Sequence, residues 1–473
     1  MHRVRGWLMG VAVGGLLTAA QPVVGQVVGQ VGERDDASAT SYAPASRSID
    51  GHGVRGERFW QVLGDPTLDR LIAEARTGNR ELRAAGARVE GAEASRLHAM
   101  LELAPIITAD AGYTRRRFAT SAFPGVGPAV LPDEGVWDTG LRASWELDVF
   151  GRIRGGVRAR GALADAAVED VRDSEIAVTA AVARAYFELR GLHEQLSVAR
   201  RNAENQRRTL DLTEMRLDAG RGTDFDAERA RAQLNFTLAA IPSLEAEVAA
   251  AEYRIAVIVG RVPHELEPPE SGMLPGLPET VPLVRATDVV RERPDVLGAE
   301  GRLAASRALV GSARADYLPR LSLMAGAGYT ARAFDAFGNT GTFNYAVGPV
   351  ISWAAFDMGR VRARVDEAQA QEIEARAYYE HVVLRAQEEL DAASIRYHRA
   401  RARLEHLELA AGASERAARL ATARYEGGVA DFLQVLDAER TLLVAQDQLA
   451  QGRTAAAGAY VALYEARGGV WEP

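Results

Sequence analysis

Charged side chains stand at even positions of the run from Trp137 to Val149: Asp138, Arg142, Glu146 and Asp148. The odd positions carry Trp137, Thr139, Leu141, Ala143, Trp145, Leu147 and Val149. On a strand a period of two sends these sets to opposite faces, one suited to lipid and one to water. The chemistry on offer is electrostatic, a charged lining for an aqueous passage. A soluble sandwich with one wet face is the alternative. Covalent chemistry has no foothold, because the chain has no cysteine and its eight histidines are scattered. No Ser/His/Asp set, metal-ligand cluster or phosphate loop stands out, so the sequence implies no enzyme, no cofactor and no metal.

The elements that must carry these faces are written twice. Phe343, Tyr345, Val347, Pro349, Ile351 and Trp353 alternate with Asn344, Ala346, Gly348, Val350 and Ser352, as the first run does. Ala111-Gly112-Tyr113-Thr114 returns as Ala327-Gly328-Tyr329-Thr330, and Gly151-Arg152-Ile153-Arg154 as Gly359-Arg360-Val361-Arg362. Such internal similarity marks a tandem repeat. Strands of about ten residues with aromatics toward their ends match a membrane barrel. Trp137, Trp145, Phe343, Tyr345 and Trp353 are therefore assigned to the lipid interfaces, with burial against a neighbouring copy as the other reading.

After each pair of strands comes a long helical seam. Tyr379, Val383, Ala386, Leu390, Ala393, Tyr397 and Ala400 fall at alternating steps of four and three, and the pattern continues to Tyr425. That is a coiled-coil repeat. The first copy has its own seam from Val182 to Leu217. A rod of this kind rises 1.5 Å per residue to a length on the order of 100 Å. Gly220 and Gly427-Gly428 break the rods, and a returning helix follows each break.

The expected organisation is a signal peptide over 1–25 and an extended segment over 26–58. The first repeat then covers 59–272, with a helix, strands near 106–116 and 137–150, and helices near 152–218 and 224–260. The second covers 273–473, with a helix near 287–316, strands near 320–332 and 343–356, and helices near 360–426 and 431–468. The signal is read from basic His2, Arg3 and Arg5, the apolar stretch Trp7 to Ala20, and small residues at Ala19, Ala20 and Gly25. A membrane anchor is the competing reading, against which the stretch is shorter than the ~20 residues of a span. A net charge of −8 and a pI near 5.7 argue against a nucleic-acid partner.

Four strands cannot close a lumen, and open edges in hydrocarbon leave backbone groups unsatisfied at several kcal/mol each. Closure must come from other copies, and three copies of four strands give twelve, an even number within the known range. Two copies would give eight, whose interior side chains nearly fill the barrel.

From Phe59 onward the chain resembles the outer-membrane factor family of tripartite efflux and export systems, the TolC-like and nodulation-type efflux outer-membrane proteins. The resemblance is carried by Phe59-Trp60-Gln61-Val62-Leu63-Gly64-Asp65-Pro66, by Arg293-Pro294-Asp295-Val296 to Tyr317-Leu318-Pro319, and by Arg424-Tyr425-Glu426-Gly427-Gly428 to Val435-Leu436-Asp437-Ala438-Glu439. Many relatives carry an acylated cysteine after the signal; this chain has none, so lipid anchoring is not implied. The resemblance implies an α+β membrane protein: a homotrimeric twelve-stranded transmembrane β-barrel continuous with an α-helical coiled-coil periplasmic barrel. It further implies an outer-membrane location, outer-membrane lipid around the strands, and a periplasmic adaptor and an inner-membrane pump as partners. A coiled-coil structural or adaptor protein of the envelope is the alternative; it would share the hairpins and lack the barrel.

By the same resemblance the closed tip falls on Leu433, Asp437 and Arg440. Their steps of four and three put them on one helix face, which three-fold symmetry would turn into an apolar ring above charged rings. An ordinary solvated helix face is the other reading, and Asp224, Glu228 and Arg231 occupy similar ground in the first copy. Gly220, Arg221 and Gly222, with Gly427, Gly428 and Val429, are the expected adaptor-docking tips, or simply capping turns.

Overall fold

The computed structural model describes residues 59–117, 134–265, 272, 274–278 and 286–469. The expected signal peptide, the extended segment over 26–58 and the loop 118–133 lie outside the described residues.

Helix α1 (Pro66–Gly78) and α2 (Arg80–Leu101) precede strands β1 (Ile106–Arg116) and β2 (Glu134–Leu147). Helices α3 (Arg152–Asp218) and α4 (Asp224–Ile258) complete the first copy. The second runs through α5 (Ala286–Glu292), α6 (Pro294–Ala315), β3 (Arg320–Ala331), β4 (Phe343–Ser352), α7 (Met358–Glu426) and α8 (Phe432–Ala466). The expected helix over 287–316 is thus two helices. Pro294 sits at the first position of α6, its ring disfavours helical geometry at the preceding residue, and Arg293 is extended with ψ 134°.

The strands form one antiparallel meander in the order β1-β2-β3-β4, which leaves β1 and β4 as edges. β2 starts earlier and stops earlier than expected, because Glu134 pairs across to Arg116 and the ladder ends with Leu147 opposite Leu321. β4 stops at Ser352, opposite Arg320, rather than near 356.

Below the sheet the helices stand in four columns. α3 packs against α2 and α4 on one side and α6 and α8 on the other, while α7 packs against α6 and α8. α3 has 67 residues and α7 has 69, so each spans on the order of 100 Å unbroken. The other two columns are each assembled from two helices laid end to end. Asn79 joins the first: its side chain accepts from the Glu81 and Leu82 amides at 2.8 and 3.1 Å and donates to the Ile258 carbonyl at 2.7 Å. Arg293 joins the second, donating to the Ala466 carbonyl at 3.1 Å while gripping Asp295 and Glu389 at 2.8 and 2.7 Å.

The main core forms a belt around these joints. Phe59 stacks on Tyr460 with ring centroids 4.4 Å apart, and Trp60 lies 4.8 Å from Tyr464. Asp65 caps α1 and accepts a hydrogen bond from Tyr186 at 2.6 Å. Burying each such ring contributes ~2 kcal/mol, so the segment from Phe59 to Asp65 is strapped to the helices by apolar contact and one buried polar chain.

Candidate channel and its far end

Register fixes the faces of the sheet. Asp110, Asp138, Arg142, Ser322 and Asn344 share one face; Ile107, Leu141, Leu323, Val347 and Ile351 share the other. On the polar face Arg142 pairs with Asp110 at 3.0 Å, Asn344 donates to Thr330 at 3.0 Å, and Asp138 lies across Gly112.

The apolar face is bounded by aromatics at both ends. Away from the helices, Tyr113 and Trp137 lie 4.5 Å apart, and Tyr329, Phe343 and Tyr345 follow in a row. Toward the helices, the Trp145 indole donates to the Leu103 carbonyl at 2.8 Å and Trp353 donates to the Tyr317 carbonyl at 3.0 Å. The two copies make the same bond at matching positions. From Trp137 to Trp145 the strand advances roughly 26 Å, close to the height of an apolar membrane band.

The junction from strand to helix consumes two of the expected lining charges. Glu146 takes a two-point grip from Arg152 at 2.9 and 2.8 Å. Asp148 lies beyond the end of β2 and off the strand altogether. Its carboxylate accepts from the Ile153 and Arg154 amides at 3.0 and 2.8 Å, the orphan donors of the α3 N-terminus. Burial pushes its carboxyl up, but these amides and the Arg154 guanidinium more than offset it, and the net pKa is below the ordinary value.

At the opposite end of the rods both turns have one geometry. The Arg221 amide bonds back to the Arg216 carbonyl at 2.8 Å, and the Val429 amide to the Arg424 carbonyl at 3.0 Å. The left-handed residues are Gly220, φ +66°, and Gly428, φ +75°. Arg216 ties the turns together: its guanidinium lies 4.1 Å over the Tyr425 ring and donates to the carbonyls of Tyr425 and Glu426 at the end of α7. A small core of Leu210, Leu234, Tyr425, Phe432 and Val435 lies behind it.

The sequence model of the outer membrane efflux protein family matches residues 71–261 and 287–469. The chain belongs to this family. The pyoverdine export outer membrane protein OpmQ of Pseudomonas aeruginosa is 30% identical over 91% of this chain and 90% of its own length. Among solved structures, the outer-membrane channel OprN superposes with a TM-score of 0.82 at 38% identity, over 94% of this chain and 100% of that one. VceC from Vibrio cholerae gives 0.80 at 26% identity, over 88% and 100%. The protein is an outer-membrane channel component of an efflux system.

In this outer membrane efflux protein Leu433, Asp437 and Arg440 lie on the exposed side of α8, while Phe432, Val435, Glu439 and Leu442 face the protein. Asp437 and Arg440 make no ion pair within one copy among the described residues. Arg231 does, with Glu214 at 2.8 Å and with Glu228. Val429 at the second tip is 70% exposed, and Met215 and Phe225 near the first are 62% and 64% exposed, so both tips carry exposed apolar side chains. Gly427 is an ordinary helix-end residue with φ −73°; Gly428 makes the turn.

Sequence reasoning missed the seam between α3 and α8. Thr209 donates to buried Glu439 at 2.6 Å, Asn202 donates to Gln446 at 2.9 Å, and the Gln206 carboxamide between them is buried with neither atom paired. It also missed Arg216. The signal for the seam lies in Phe432, Val435, Glu439 and Leu442, which recur at steps of three and four along the returning helix.

Proposed function

We propose that three copies of this chain close into a passive duct, twelve strands through the outer membrane and twelve helical columns through the periplasm, that receives substrate from an inner-membrane pump through an adaptor. The observation carrying the proposal is the four-stranded meander with two unpaired edges and one apolar face. Its edges are complementary only to another copy, β1 of one against β4 of the next, and pairing removes every exposed backbone edge from lipid. Asp138 and Arg142 line the water-filled side, and Glu146 braces its lower rim. Trp137, Phe343 and Tyr345 sit at one lipid interface and Trp145 and Trp353 at the other. Gly220 to Gly222 and Gly427 to Val429 form the tips that meet the adaptor. No step in this function breaks or forms a covalent bond.

The closed end is formed by Leu433, Asp437 and Arg440 converging on the axis from three copies. Three aspartates gathered there repel unless each meets an arginine. Partly screened pairs of this kind contribute ~0.2 to 1 kcal/mol apiece, a latch that adaptor contacts of a few kcal/mol can open. Single-channel conductance in a planar bilayer tests this. Asp437→Ala should raise conductance, and Leu433→Ala with Asp437→Ala should raise it further at unchanged trimer stability. If both variants conduct like the parent, the constriction is elsewhere.

A further inference from the structure

Each strand carries one helical column, and the order of the columns copies the order of the strands. α2 leads into β1, β2 into α3, α6 into β3 and β4 into α7. The columns accordingly run α2/α4, α3, α6/α8, α7, with the first and last at the edges as β1 and β4 are. Both edge columns carry large apolar side chains on the flank turned away from their own copy. On α4, Ala227 and Leu234 are buried, and Leu234 packs with Leu210 of α3. Phe225 and Phe236 each stand two residues from one of these, about 200° round the helix, and both are exposed. On α7, Leu409 and Leu420 are exposed in the same way, two residues from buried Ala411 and Ala418.

The two stripes match in spacing. Phe225 and Phe236 are eleven residues apart, and so are Leu409 and Leu420. Eleven residues make three turns, so each pair returns to one face of its helix. α4 leaves the tip and α7 runs down to it, so the stripes are antiparallel. Both pairs meet at once only with Phe225 on Leu420 and Phe236 on Leu409. One further step of eleven sets Glu247 level with His398 and Arg399, an acid against two bases. All three are exposed, and none makes an ion pair within its own copy among the described residues. We infer that α4 of one copy packs on α7 of the next in this register, so that these two exposed flanks form the seam between copies. The occupant of each stripe is a second copy of this chain, because closing β1 of one sheet on β4 of the next carries the α2/α4 column against the neighbour's α7. Burial there removes four large apolar side chains from water. The inference rests on the reading that three copies close the duct.

The chain has no cysteine, so introduced pairs would be its only thiols. A disulfide forms only where two Cα atoms come within about 7 Å. Full-length protein carrying Phe236→Cys with Leu409→Cys, oxidised in mild detergent, should run as a covalent trimer on a denaturing gel and return to monomer with reductant. Glu247→Cys with His398→Cys, which leaves the apolar contacts in place, should do the same. Each single variant should stay monomeric on that gel. So should Phe236→Cys with Leu420→Cys, a pair displaced by eleven residues or about 16 Å. Covalent trimer from the displaced pair in place of the matched pairs overturns the register. Matched thiols that stay unbonded in an intact trimer and react at once with maleimide overturn the seam, and leave the stripes as a surface for the adaptor. Mass measurement of the parent in the same detergent keeps the two readings apart. A trimer whose matched pairs do not cross-link sinks the seam alone, whereas a parent that stays a folded monomer sinks the three-copy reading beneath it.

Discussion

Glu439 is a carboxyl group set between two helices with a threonine hydroxyl as its hydrogen-bond donor. Burial pushes its pKa above the ordinary glutamate value of 4.5, and the bond from Thr209 offsets only part of that. The packed arrangement therefore binds the proton more tightly than the unfolded chain does. Its contribution to stability is complete below the ordinary glutamate pKa and is lost as pH rises through the higher native value. Glu439→Gln keeps the shape and the link to Thr209 without the charge. Thermal melting from about pH 5 to about pH 8 should thus fall more for the parent than for the variant; parallel curves would show that the carboxyl is not buried as described. Asp148 is the opposite case, held below its usual value by the α3 amides, and Asp148→Ala should cost ~0.5 to 2 kcal/mol of that helix end, seen as a lower melting temperature. The sequence pattern placed Asp148 with the lining charges because alternation alone does not say where a strand stops. That Asp437 and Arg440 share one face of α8 was legible from their spacing. Glu439, between them in sequence, was not, since neighbouring positions on a helix lie about 100° apart and face different surroundings.

Strands and rods were readable because each repeats one period over many residues, two along β2 and 3.5 along α7. Buried Ala386, Leu390, Ala393, Tyr397, Leu404, Ala411, Ala418 and Tyr425 all lie on the seam traced in the sequence. What periodicity does not contain is the meeting of ends. The joints at Asn79 and Arg293 link residues 179 and 173 positions apart; Pro294 splits the helix before β3 locally, but that the end of α8 meets the split is not written in either segment. The tips give an element-level prediction. Gly428 is left-handed, so alanine there costs ~1 to 2 kcal/mol; Gly427, with φ −73°, accepts alanine at almost no cost. Hydrogen exchange at the α7–α8 turn should accelerate in Gly428→Ala and stay unchanged in Gly427→Ala. Equal rates in both variants would mean that the turn is not held by this glycine.

At the scale of the molecule, the sheet is the least self-sufficient part. A four-stranded membrane sheet with two bare edges has no stable existence alone in lipid, so folding of the strands and association of the copies form one event. Mass measurement in mild detergent should find trimer or unfolded chain; a folded monomer with an intact meander would remove the architecture's basis. The columns carry a further, mechanical consequence. Two staves of each copy run unbroken from membrane to tip, and two are jointed at the belt, where a few hydrogen bonds of about 1 kcal/mol each replace the continuous ladder of a helix. Torque applied at the far end therefore reaches the membrane through the unbroken staves α3 and α7, while the jointed pair can give at the belt, much as a coupling lets one shaft turn a little against another.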